Sequence, residues 1–304
     1  MPSSVVMNEK SAAACSVTSW LDQLYVAWTG SDMCLNVIAS PRWGEFAGKR
    51  RLRERSYARV TTSSSSMTTS DTSSGGTRTG SSTTQNVALA PSLAGSGQRL
   101  YIAWTGTDGA LNVAAADVGP EGRPTTFRER TSHAPSLATS ARGSLTLAWT
   151  GTDTHVNLLT IWQDRAGAPF QPTGPKHTLE IAKSGQAPTV CSHRDGTALA
   201  WTGTDRHINI LTNAGDPGCP LLRLEQARSG TRPAVCSHQG VLAVAWTGTD
   251  RRVNVLANAV DRAARPLRLE EAKTSAAPAL CSHGGSLILG WAGTDRRPNL
   301  ARLH

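Results

Sequence analysis

Apolar and polar positions alternate along this chain in short bursts. Val241-Leu-Ala-Val-Ala-Trp246 is cut by Thr247-Gly-Thr-Asp250, resumes as Val253-Asn-Val-Leu256, and after a loop returns as Pro266-Leu-Arg-Leu269. Short runs of β-formers bounded by Gly, Asn, Asp and Pro predict strands joined by tight turns. No segment sustains a helical period.

The same burst recurs. Ala-Trp-Thr-Gly-Thr-Asp, with small changes, is centred on Trp28, Trp104, Trp149, Trp201, Trp246 and Trp291, at successive gaps of 76, 45, 52, 45 and 45 residues. Without about 30 residues of the first gap, every period falls near that of a four-stranded propeller blade. The expected fold is therefore all-β: one six-bladed β-propeller over 1–304, built from four-stranded antiparallel blades. Strands are labelled a to d from the axis outward, with the repeat tryptophan ending strand b.

The chain ends fit this reading. The first unit lacks a preceding d strand, and the last stops after strand c. Counting back without gaps sets Val5-Val6-Met7-Asn8-Glu9-Lys10 on Arg268-Leu269-Glu270-Glu271-Ala272-Lys273. The N-terminal strand should therefore pair with the last blade and remove open sheet edges.

Composition refines the picture at two points. The Ser/Thr-rich stretch 57–86 has too little apolar area to offset its ordering entropy, so it is expected as a disordered insertion in a d-to-a connection. A phosphorylation or glycosylation tract, or a flap over the neighbouring face, are the functional alternatives. The net charge of +9 raises the question of acidic partners. The densest basic run, Trp43 to Arg55, has sparse aromatic interleaving and no nucleic-acid motif, which favours a solvated outer strand over nucleic-acid binding.

No apolar run is long enough to span a membrane, and MPSSVVMNEK lacks the apolar core of an export signal. Cys191, Cys236 and Cys281 recur ten residues before their tryptophans. Equivalent positions on adjacent blades are too far apart for disulfides, so these read as buried thiols. The expectation is a cytoplasmic monomer without cofactor or metal.

Candidate chemistry divides between two faces. The b–c turns and d–a connections share the top, where Asp32, Asp108, Asp153, Asp205, Asp250 and Asp295 recur beside Lys10, Arg130, Lys183, Arg228 and Lys273. Asx turns, with cations pairing to the aspartates from blade to blade, account for much of this. Arg206-His207, Arg251-Arg252 and Arg296-Arg297 exceed that need and are the first candidates for contacting an anionic group.

On the bottom, Trp20, His193, His238 and His283 occupy matching positions, with Trp43 and Trp162 in c–d loops, and could stack on a flat ligand or sugar. Zinc is disfavoured because strand ends splay and no close metal-ligand spacing occurs. The thrice-repeated Cys and His two residues apart argues for architecture over a nucleophile–base pair. Walker, Rossmann, nucleophile-elbow and zincin signatures are absent from the sequence.

The pattern Ala-Trp-Thr-Gly-Thr-Asp-x-x-x-Asn, clear in Ala103 to Asp108 and Leu111-Asn112-Val113, resembles bacterial propeller repeats of the sialidase-like and lectin-like superfamily. The resemblance covers nearly the whole chain outside the insertion. In sialidases, which the chain resembles, the Asp/Gly/Trp turn is structural, and catalysis uses an arginine triad, a Tyr–Glu pair and an acid Asp. Here the tyrosines are Tyr25, Tyr57 and Tyr101, and no Phe-Arg-Ile-Pro-like string occurs. Fucose-binding six-bladed lectins are a second likeness of architecture.

The expected function is non-catalytic, multivalent binding of a carbohydrate or other small polar or anionic ligand. The alternatives are an enzyme with one site at the axial channel, for which Arg251, Arg296 and His207 would be carriers, and a protein-interaction scaffold.

Overall fold

The computed structural model describes residues 3–66, 79–117, 123–140, 143–165, 167–194 and 196–303. Among these residues every regular element is a strand. The chain opens with β1 (Ser3–Val6), then runs through blade one: β2 (Ser16–Trp20), β3 (Gln23–Thr29), β4 (Cys34–Arg42) and β5 (Glu45–Arg55). A hairpin of β6 (Tyr57–Ser66) and β7 (Thr79–Ala88) follows.

Blade two is β8 (Ser92–Ser96), β9 (Arg99–Thr105), β10 (Ala110–Ala115) and β11 (Thr125–Arg130). Blade three is β12 (Ser136–Thr139), β13 (Leu145–Thr150) and β14 (His155–Trp162), edged by β15 (Gln171–Pro172) and β16 (His177–Lys183). Blade four holds β17 (Thr189–His193), β18 (Gly196–Thr202), β19 (His207–Leu211) and β20 (Leu222–Arg228). Blade five holds β21 (Ala234–His238), β22 (Val241–Thr247), β23 (Arg252–Leu256) and β24 (Leu267–Lys273). Blade six holds β25 (Ala279–His283), β26 (Ser286–Ala292) and β27 (Pro298–Leu303).

Each blade is an antiparallel meander, and inner strands β2, β8, β12, β17, β21 and β25 touch in ring order back to β2. This is the six-bladed propeller the repeat predicts. Closure is also as expected: β1 pairs antiparallel with β27. The register differs by one residue from the gapless count, because Val6, not Val5, lies opposite Asn299. In blade five, Leu269 faces Val253 and Lys273 faces Arg252 across a bulge. In the closing strand, Met7 N–H bonds Pro298 O and Ser11 N–H bonds Arg296 O, so its bulge is one residue shorter.

The core is distributed between blades. Every repeat tryptophan lies opposite the repeat asparagine in the b–c ladder, as Trp246 opposite Asn254. Its ring packs on the preceding blade: Trp246 on Ile208 and Ile210, Trp149 on Leu111 and Val113, Trp28 on Ile288 and Leu300. Strand alternation turns the following threonine to the other side. There Thr29, Thr105, Thr150, Thr202 and Thr247 donate to Leu89, His133, Gln186, Thr231 and Ala276 carbonyls of the next blade. One tryptophan facing backward and one hydroxyl facing forward thus fix each of the first five blades against both neighbours, while blade six has Ala292 at the hydroxyl position.

The insertion departs from expectation. Its described parts, 57–66 and 79–86, are not structureless: Tyr57 to Ser66 pair with Ala88 to Thr79 in continuous register, and Thr61 and Thr84 hydroxyls bond at 3.1 Å. Composition weighs only apolar burial, whereas the β-branched threonines favour extended backbone and the ladder satisfies main-chain groups locally. The rest of the expected loop lies outside the described residues. The cysteines are free, and no helix among the described residues is long and apolar enough to cross a membrane.

Candidate functional site

At each b–c turn, the repeat aspartate Oδ1 accepts the backbone N–H two residues on, at 3.0–3.1 Å in all six copies. The asparagine Nδ2 donates to the carbonyl two residues before it, as Asn36 does to Cys34 at 3.0 Å. Between them lies a glycine whose Cβ, if present, would meet both: at Gly30, Asp32 Oδ1 would be 2.7 Å away and Asn36 Nδ2 3.0 Å. The backbone N–H is the main reason that the Asp32, Asp153, Asp205 and Asp250 carboxyls sit below their ordinary range. These aspartates hold the turn.

Among the described residues their ion pairs run within a blade and not from blade to blade. Arg51, Arg223 and Arg268, each on the d strand of the same sheet, reach Asp32, Asp205 and Asp250 at 2.6, 2.9 and 3.0 Å. Sheet pairing places strand d beside the b–c turn of its own blade, so the partner comes from there. Of the expected cation ring, Arg130 pairs with Asp108 at 3.7 Å and Arg228 Nε donates to His207 at 3.2 Å.

The tandem arginines are not equivalent. Arg206, Arg251 and Arg296 sit at the left-handed position of the turn, with φ of 68°, 64° and 66°, exposed and without an ion-pair partner among the described residues. Their neighbours are partnered: His207 and Arg252 turn back into the blade, and Arg297 stays exposed beside its own turn. His207 is buried between Asp205, Arg223 and Arg228; Arg252 pairs with Asp250 and Glu270, and Arg297 with Asp295. Each pair therefore supplies one free cation per turn, not two.

The bottom-face residues form a belt. His193 Nδ1 bonds Ser237 at 3.0 Å, His238 bonds Ser282 at 2.8 Å, and His283 bonds Ser19 at 2.9 Å, each crossing to the next blade. Trp20 continues it, donating to Gly97 O at 2.9 Å and covering Gly95, where a Cβ would collide with the indole. Burial lowers the His193 and His283 imidazoles below the usual histidine range. Trp43 is drawn into a core cluster with Arg302 over its ring at 4.8 Å, whereas Trp162 remains exposed beside a hollow shared with Gly143, Thr160 and Thr173. No group of three potential metal-ligating side chains converges among the described residues.

Sequence reasoning missed the spaces between blades. A cavity of about 450 Å³ opens between β20 and blade five. Leu224, Trp246 and Leu256 floor it, and Gln226, Asp261, Arg262 and Arg265 stand around it. The equivalent seam between β16 and blade four holds two smaller hollows of about 220 and 210 Å³. Glu180 and Ile181 border both; Trp201, Asp205 and Lys183 complete one, and His177 and Asp216 the other. The signal was present in the alternating Leu222-Arg-Leu-Glu225 and its copy Leu267-Arg-Leu-Glu270, which mark outer strands with an apolar side against the next blade. A third space runs along the axis, with a volume of about 320 Å³ between the six inner strands.

No family model and no curated protein sequence matches the chain. Solved structures do. AofleA from Arthrobotrys oligospora is similar at TM-score 0.62 and 7% identity, over 100% of this chain and 87% of that one. A fucose-specific lectin from Aleuria aurantia is similar at TM-score 0.59 and 9% identity, over 97% and 93%. A Trypanosoma rangeli sialidase is similar at TM-score 0.55 and 9% identity, over 99% of this chain but 58% of the enzyme. At these identities the likeness is one of fold.

Proposed function

We propose that this propeller is a carbohydrate-binding module that takes sugars in the seams between blades. The observation that carries the reading is the cavity at the seam of blades four and five. A tryptophan edge and leucines floor it, and Arg262, Arg265, Asp261 and Gln226 offer both donors and acceptors around it. A sugar ring presents an apolar face and a rim of hydroxyls, and its recognition needs that combination. A volume of about 450 Å³ suits one or two rings. Similarity in fold to a fucose-specific lectin supports the reading, as does recurrence of the seam beside blade four. Repeated weak sites on one ring gain avidity on a multivalent surface.

Arg206, Arg251 and Arg296 fit a different part of the same function, contact with acidic groups of a larger glycan across the top face. Cytoplasmic location and a monomeric state belong to the proposal in the same way.

The test is calorimetry with free monosaccharides, including α-methyl fucoside, together with a glycan array. Binding should be about millimolar per seam, with more than one equivalent bound. Arg262→Ala with Arg265→Ala should remove the strongest site and leave the melting temperature within about 2 °C. Arg206→Ala, Arg251→Ala and Arg296→Ala together should weaken only sialylated or sulfated glycans. Absence of any sugar binding at tens of millimolar would defeat the proposal.

A further inference from the structure

One position breaks the symmetry of the axis. The residue just ahead of strand a is Ala14, Ala90, Ala134, Ala187 and Ala277 in five blades, and these alanines pack together as a buried ring. Blade five places Arg232 there. The residue is 9% exposed, its side chain lines the axial cavity, and that side chain has no hydrogen-bond or ion-pair partner among the described residues. The fold does not require arginine at a site that alanine fills five times. The Arg232 guanidinium nitrogens are not among the fully buried polar atoms that lack a partner, so they reach the open channel; a largely desolvated cation there, with no counter-charge beside it, favours an anion.

Among the described residues no counter-charge is supplied. Arg232 is the one charged side chain among the described residues that line the cavity. The titratable group that acts on Arg232 is the Cys15 thiol, which burial pushes up to about 12, while burial lowers Arg232 only to about 10. Near neutral pH the pair is therefore guanidinium and neutral thiol, not an ion pair.

The rest of the wall is suited to an anion. Ser16, Ser92 and Ser136 line the same cavity, and each Oγ accepts a backbone N–H from the next blade, from Leu93 at 3.1 Å, Leu137 at 2.9 Å and Val190 at 3.0 Å. Those bonds fix the oxygens while leaving each hydroxyl proton without an acceptor among the described residues. A hydroxyl carries one donor, so three remain to be used.

We propose that the axial cavity is a binding site for one small oxyanion, a phosphate, sulfate or carboxylate, with Arg232 as its counter-charge and the serine hydroxyls as further donors. About 320 Å³ accommodates such an ion with several waters. This site is separate from the sugar seams, and it also differs from the exposed top-face arginines in that Arg232 lies inside the channel and is largely buried.

Titration calorimetry on the full chain, in a bis-tris buffer with chloride as the background anion at constant ionic strength, tests it with inorganic phosphate, sulfate and acetate as separate probes. The expected result is one equivalent bound for at least one probe. Arg232→Ala should weaken that binding at least tenfold, and Arg232→Lys less. The order of the three probes distinguishes a phosphate-type from a carboxylate-type ligand. Arg232→Ala should also melt no lower than the parent in the same buffer without the probes, and its sugar binding should be unchanged, so loss of this site and failure of the seam reading are separable. Equal binding by parent and Arg232→Ala would place the ion elsewhere and overturn the proposal. So would absence of binding by the parent to all three probes, a result that needs no variant to fold.

Discussion

A single turn position shows how local strain and chemistry compete. Arg206, Arg251 and Arg296 occupy left-handed backbone, where blade two uses Gly109 at φ 82°. A residue with a Cβ costs about 1–2 kcal/mol there relative to the right-handed region. Arg251→Gly should therefore fold with equal or greater stability, by up to about 1 kcal/mol, in denaturant titration. It removes the charge without disturbing the turn, so any loss of acidic-glycan binding is a loss of contact.

The histidines set a pH window at the same scale. His193 and His283 have folded pKa values below the ordinary 6.5, with burial the first cause. A depressed pKa means the unfolded chain takes up protons first as pH falls, so the full contribution is present above about pH 6.5 and is lost on acidification. The melting temperature should fall from pH 7 to pH 5, and the double variant His193→Gln with His283→Gln should flatten that slope. A second loss belongs below about pH 4, where the lowered turn aspartates protonate. A profile rising toward pH 5 would contradict the burial assignment.

At the scale of elements, the forward hydroxyl clasp is present at five blade junctions. Blade six has Ala292 where the others have threonine, and the matching acceptor would be the Ala13 carbonyl at the junction with blade one. Ala292→Thr should add the missing bond and stabilise by about 1 kcal/mol. Thr247→Val, which leaves the Ala276 carbonyl short of its donor, should cost about 1–2 kcal/mol. Opposite signs at equivalent positions, read by thermal melts of both variants, would identify the clasp as the cause. The hairpin β6–β7 is a separate two-stranded sheet. Its Ser/Thr composition led to an expectation of disorder because hydropathy has no measure of a ladder that satisfies itself.

At the scale of the molecule, the ring depends on β1, which brings residues at opposite ends of the chain together. Met7, 2% exposed, packs in the cluster that joins blades six and one around Trp28. Met7→Ala should cost about 2–5 kcal/mol, seen as a melting shift of about 2–4 °C per kcal/mol. Charging the closing strand, as in Val5→Asp, should expose the outer edge of β27 and promote self-association in size-exclusion chromatography. A variant as stable and monodisperse as the parent would show that closure contributes little.

Strand order, blade count and closure were legible in the sequence because each rests on local, repeated chemistry. A tryptophan, a glycine turn, an aspartate and an asparagine at fixed spacing make one hairpin, and six copies with a strand missing at one end and supplied at the other make a ring. Local chemistry also marked the turn aspartates as structural. What the chain text did not reveal is which residues from different copies face one another. The seam floored by Trp246 joins strands about one repeat apart, Asp205 takes its partner from strand d of its own blade, and the histidines are spent on serines of the next. Arg232 reads as an ordinary substitution beside a proline until six inner strands converge and place its charge in the axial channel without a partner among the described residues. Periodicity is a property of neighbours in sequence; pockets and uncompensated charges are properties of neighbours in space, and those exist only once the ring has closed.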